Sequence, residues 1–214
     1  MRRTSLAVGI FYLLTFVSIP SISLYAGIHD HNYMLSLGSD TSVIIGGLLE
    51  IIVALSGIAT AVILYPILKN QNQSMSLGLV VSRVLEAATI FLGVAFLLTT
   101  VSLHKVGLGS NGIITAQALV TLYDKIFLLG QSFIPAFNDL LLGVLLYKSG
   151  LVPRGLAMIG IAGALPLVAG FIAIMFGSID KQSVLAAFSA VLVAVFEFSL
   201  GLYLVIKGFR STNH

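Results

Sequence analysis

The chain has 214 residues, 58% of them hydrophobic and 9% charged, with 11 Lys and Arg against 8 Asp and Glu and no cysteine. Soluble domains carry about a quarter charged residues and the mean hydropathy here is +1.08, so the composition excludes a soluble globular domain, disulfides, thiolate metal centres and cysteine nucleophiles. The net charge of +3 is spread over short loops, which argues against nucleic acid and leaves the lipid bilayer as the expected partner.

A bilayer-spanning helix needs about 20 predominantly apolar residues. Runs of that kind fill most of the chain and predict an all-α, single-domain bundle of six transmembrane helices. The first span covers about residues 5–27, after Arg2 and Arg3. Its charged start and small-residue end also suit a cleaved signal peptide, but the run is long enough to be retained. A loop with His29, Asp30 and His31 leads to the second span, residues 41–68, which contains Glu50. After the polar turn Lys69–Ser74 comes the third, residues 76–103, with Arg83 and Glu86. A Gly-rich connector from His104 to Gly112 precedes a long segment that is expected to start with an interfacial turn at Tyr123, Asp124 and Lys125. Its spanning part is residues 126–147, with Pro135 as a potential kink. The last two spans are residues 156–176 and 184–206.

Lys and Arg concentrate in cytoplasmic loops. With the N-terminus inside, the inner side holds Arg2, Arg3, Lys69, Lys148, Arg154, Lys207 and Arg210, and the outer loops hold Lys105 and Lys181. Both termini are therefore expected to be cytoplasmic.

Five ionisable residues fall within these spans: Glu50, Arg83, Glu86, Asp139 and Glu197. Each costs about 2.5–3.5 kcal/mol at the bilayer centre on insertion scales, so they are expected to face the bundle interior. Helical spacing agrees. Gly46, Glu50, Ala54, Gly57 and Ala61 make one stripe, Ser82, Glu86, Thr89, Gly93 and Thr100 a second, and Ala186, Ala190, Ala194, Glu197 and Gly201 a third. Small-residue stripes are where membrane helices pack closely. At about 1.5 Å per residue, Glu86, Asn138, Asp139 and Glu197 come to similar depths, Arg83 one turn further in and Glu50 further out. One arginine does not neutralise four carboxylates. Either some of them hold protons, or a cation or basic ligand completes the site. The plainer alternative is an Arg83–Glu86 ion pair that only fixes helix packing.

Weaker signals surround this centre. His29, His31 and His104 offer donors for a divalent ion, but they lack fixed ligand spacing, and neither a metal nor another cofactor is expected. The run Gly107 to Gly112 has the letters of a dinucleotide fingerprint without the preceding strand, and reads as a turn. Tyr123, Asp124 and Lys125 suit interfacial anchoring, with a place at a cavity mouth as the alternative. No zinc-protease helix, serine elbow or phosphate loop is found, which leans away from an enzyme.

Several of these stretches occur together in one known family. They are Arg2 with Phe11–Phe16, Leu48-Leu49-Glu50, Arg83-Val84-Leu85-Glu86-Ala87, Asn138 before Leu140–Gly143, Leu151-Val152-Pro153-Arg154, and Glu197 with Lys207-Gly208-Phe209. The pattern resembles the bacterial membrane family described as domain of unknown function 4386, over nearly the whole chain. The resemblance implies a six-helix protein of the bacterial plasma membrane and no particular activity. Tyr123 stands before Asp124 where that family more usually has His. Three classes stay open: a small-solute or proton-linked carrier, an intramembrane enzyme or lipid-binding protein using paired carboxylates, and a non-catalytic sensor or accessory subunit with a structural charge network. A lipid or small molecule bound in the bundle belongs to the first two.

Overall fold

The structure, a computed structural model, describes residues 1–36 and 40–210. Eight α-helices are present among them: α1 (Arg2–Leu14), α2 (Ser21–Leu24), α3 (Asp40–Leu68), α4 (Gln73–Val106), α5 (Ile113–Phe127), α6 (Ile134–Ser149), α7 (Arg154–Met175) and α8 (Val184–Ile206). Among the described residues, five helical segments are long and apolar enough to cross a membrane: α3, α4, the run Gly109–Ser149, α7 and α8. The segment expected as a first span is helical but broken. α1 tightens into a 3-10 turn at Thr15–Ser18, and Pro20 precedes the single turn of α2. Pro20 has no N–H to donate and crowds the carbonyl four residues back, so the α-helix does not run through it.

The long segment departs further from the sequence reading. Tyr123, Asp124 and Lys125 sit inside α5 rather than in a turn, because helix begins at Ile113. α5 and α6 are joined by a π-helical turn, Leu128–Phe133, and Pro135 stands in the first turn of α6. A proline ring clashes with the carbonyl of residue i−4, here Gln131, and the wider π turn relieves that clash where a sharp kink was the alternative. Gly130 makes the wide turn possible at this place, since a Cβ there would lie 2.0 Å from Thr89 Oγ1 on α4. His104 also lies in the last turn of α4 rather than in the connector. The connector itself is a turn: Gly107 is left-handed, with φ 74°, and Gly109–Gly112 forms a 3-10 turn.

The helices form a ring in which chain neighbours pack together and α8 closes on α1, which also packs against α3. The surface is apolar: Ile45, Leu48, Ile52, Leu55, Val81, Leu85 and Phe188 are exposed, whereas Glu50, Arg83, Glu86, Asn138 and Asp139 are buried. This inside-out distribution suits a chain whose outer solvent is hydrocarbon. One apolar cluster, with Tyr12, Leu64, Leu68, Leu142, Leu146, Phe196 and Leu200, fills the end nearer the termini. Another, with Tyr25, Tyr33, Val43, Leu97, Val101 and Tyr123, fills the opposite end.

Close helix approach rests on glycine. A Cβ on Gly143 would meet Ala157 O at 2.9 Å and Ile161 N at 3.0 Å on α7, and one on Gly9 would meet Gly201 O at 2.8 Å on α8. These are backbone atoms, which a side chain does not displace without moving the helix. Gly143→Ala is therefore expected to destabilise the fold by about 1–3 kcal/mol, the usual cost of overpacking. Gly155→Ala, where nothing lies within 4 Å, should be neutral or mildly stabilising. Thermal unfolding in detergent micelles reads both.

Candidate functional site

Helices α4, α6 and α8 bring four sequence-predicted residues together around Arg83. Its Nη1 donates to Glu86 Oε2 at 2.9 Å, one helical turn along α4. Its Nη2 donates to Glu197 Oε1 on α8 at 2.5 Å. Asp139 on α6 stands behind, with Oδ1 3.9 Å from Nη2. Asn138 Nδ2 donates to the same Glu86 oxygen at 2.6 Å. One guanidinium thus faces three carboxylates, and its planar fork lets two of them bind separate nitrogens. Among the described residues, both Asp139 oxygens, Asn138 Oδ1 and Arg83 Nε have no hydrogen-bond partner. An unpaired polar atom in low dielectric is costly, so this cluster is not a closed ion pair.

Glu50 is not part of it. Its Oε1 accepts from the Tyr123 hydroxyl at 2.7 Å, and the Gln131 side chain of the π turn faces the same carboxylate. Tyr25 stacks edge-on against Tyr123 at 5.5 Å. The five acids and bases therefore divide into an arginine-centred group and a separate Glu50–Tyr123 pair.

A cavity of about 190 Å³ opens beside the arginine group, bordered by Arg83, Glu86 and Glu197 and reaching Gln131 and Pro135. Thr15, Phe16 and Ser18 from the 3-10 turn close one side, with Val53, Ala54 and Gly57 of α3. Ala190, Val193 and Ala194 of α8 form the other. The α8 stripe thus corrects the sequence reading. Ala190 still packs against the cluster of Ala136, Ala164 and Leu167, but Ala194 is exposed, because beside the 3-10 turn the N-terminal segment leans onto α3 and leaves it lining space instead of a helix seam.

Two residues at this centre escaped the sequence reading. Tyr12 is buried with its ring 5.8 Å from Arg83 Cζ. Ser5, Val8, Gly9 and Tyr12 are spaced as one buried stripe, which was the available signal. Gln131 is a polar residue in an apolar run four positions before Pro135.

The loop end carries a second group. His29 Nδ1 donates to Tyr25 O at 2.8 Å and its Nε2 faces Asp124 Oδ1 at 3.1 Å. Lys181 Nζ donates to the same Asp124 oxygen at 2.5 Å. His104 meets Asp40 at 2.8 Å and Ser36 O at 2.9 Å, and His31 meets Gln117 at 2.7 Å. Each of these three histidines thus has its own partners. Among the described residues no three His, Asp or Glu side chains are grouped to hold a metal ion. Asp124 lines a second cavity with His29, His31 and Gln117. Lys125 is exposed.

The family model for the domain of unknown function DUF4386 matches residues 7–208, and the chain belongs to that family. No curated protein and no solved structure matches it. Family and structure together describe a multi-pass membrane protein with buried salt bridges.

Two expectations follow. Replacing Arg83 with Leu strands buried carboxylates and should cost about 3–5 kcal/mol. Adding Glu86→Gln should restore part of that loss, because one of the stranded charges goes, and a double-mutant cycle from urea unfolding measures it. At the loop end, the Asp124 hydrogen bond, with the Tyr25 carbonyl beside it, raises the His29 pKa above its ordinary value although burial opposes the charge. The stabilisation is then fully present below the unfolded value of about 6.5 and is lost as pH rises through the higher folded value. The stability difference between wild type and His29→Gln, followed from acid to alkaline pH, should be largest below that unfolded value and shrink above it.

Proposed function

We propose that this protein is a proton-linked carrier of a small solute in the bacterial plasma membrane, with the working site at Glu86. The observation that carries the reading is the cavity that ends on Glu86 and Glu197, where one guanidinium meets three carboxylates. The charge imbalance is balanced by protons or by a bound cation, and exchange of one for the other is the elementary step of coupled transport. Glu86 leads because its Oε2 already takes Arg83 and Asn138 while the residue borders the cavity. Arg83 holds it in place.

The topology we propose has six spans and cytoplasmic termini. Residues 2–25 run helical across the break at Thr15–Ser18, and at about 1.5 Å per residue they match a hydrocarbon core of about 30 Å. The seven-to-two asymmetry of Lys and Arg supports the orientation. An enzyme reading has less support, since among the described residues no activated nucleophile stands beside these carboxylates.

Proteoliposomes loaded with a pH dye and exposed to a panel of organic cations, neutral solutes and anions test the reading. At least one class should drive a change in lumenal pH with wild type, and Glu86→Gln should lose it while keeping its melting temperature within a few degrees. No response from any class, or equal responses from the two proteins, sinks the carrier.

A further inference from the structure

The cavity beside Arg83 is chemically two-ended, and the ends differ in what they present. Side-chain exposure is 11% for Glu86 and 14% for Glu197, against 4% for Arg83 and 0% for Asp139. An occupant therefore meets carboxylate surface, with the guanidinium recessed behind it. The remaining wall is largely apolar, with Phe16, Val53, Ile90, Leu167 and Val193. Arg83 lines the same space, while its Nε is buried behind it without a partner among the described residues, so the protein's own groups leave the polar centre incomplete.

The way in is sideways. α1 packs along α8, but the 3-10 turn and α2 pack on α3. Phe16 meets Phe198 edge-on at 5.3 Å, and beyond that contact Ala194 is exposed at the cavity rim. The residues flanking the rim are exposed and apolar: Ile19 (62%), Val191 (44%) and Val195 (43%). On a membrane-spanning bundle such a flank faces lipid.

We infer that this cavity takes an amphiphilic organic monocation, an ammonium head on a short apolar body, which enters from the lipid between Thr15–Ser18 and α8 and sets its head against Glu86 and Glu197. The inference deepens the carrier reading by naming the class of its solute. Size agrees: about 190 Å³ is below the roughly 300–1,000 Å³ of pockets that hold drug-sized ligands. Charge agrees as well, since an ammonium offsets the surplus carboxylates whereas an anion adds to it.

Binding to the full chain in lipid nanodiscs, with hexylammonium, hexanol and hexanoate as probes, tests the inference without requiring transport. Hexylammonium should bind saturably and more tightly than hexanol, and hexanoate should not compete. Glu197→Gln should weaken hexylammonium by about tenfold, the scale of one charge-assisted hydrogen bond, and leave hexanol unchanged. Ala194→Phe, at the rim, should slow association severalfold while the melting temperature stays near wild type. Equal affinity for hexanol and hexylammonium, preference for hexanoate, or no saturable binding overturns the cation site. Unchanged association in Ala194→Phe overturns the lateral entry. Saturable hexylammonium binding without flux in proteoliposomes sinks the carrier and leaves the site standing, and flux of another solute class without that binding does the reverse.

Discussion

The guanidinium of Arg83 is the constraint on which the middle of this bundle depends. It ties α4 to α8 through Glu197, and to α6 through the Glu86 oxygen that Asn138 also binds. In hydrocarbon the alternative to such partners is an unsolvated charge, so the helices that carry them gain a strong reason to converge. A lysine would serve less well. Its single point charge lacks the two separate nitrogens that reach carboxylates on different helices.

That polar layer sits between two apolar clusters, one around Tyr12, Leu146 and Phe196 and one around Tyr33, Val101 and Tyr123. The ends give the bundle its packing, and the level between them is thinner. Small clusters around Ala54 and Ala87, and around Ala136 and Ala164, adjoin it. Ala and Gly let backbones approach where the helices cross, yet on α8 Ala194 borders open space. A stripe of small side chains therefore has two structural uses, and the neighbour decides which.

Much of the fold was legible because the bilayer imposes a simple rule. Long apolar runs with punctuated ends marked α3, α4, α7 and α8 to within a few residues, and the cost of burying charge together with depth along the helices brought Glu86, Asn138, Asp139 and Glu197 to one level, with Arg83 one turn further in. What resisted was whatever depends on which helix lies opposite. Glu50 shares a stripe with Ala54 and Gly57, and nothing in that spacing says that Tyr123 would claim it instead of Arg83. Ala194 looked like part of a seam because spacing is blind to a missing partner. Tyr12 carried too little polarity to stand out beside four acids. The cavity itself has no sequence signature, since it exists where the N-terminal segment leans away from α8.

The π turn at Leu128–Phe133 has a consequence best put as phase. At about 100° per residue, Tyr123 and Asp139 on an uninterrupted helix would point about 160° apart, nearly to opposite sides. One extra residue in the turn takes back about 100° and leaves them about 60° apart. Both are buried: Tyr123 reaches Glu50, and Asp139 stands beside Arg83. The segment is two inward-facing stripes written out of step, and the wide turn is the correction that lets a single helix serve two polar centres. Pro135 fits the place where that correction is made, and Gly130 leaves Thr89 the room that it needs.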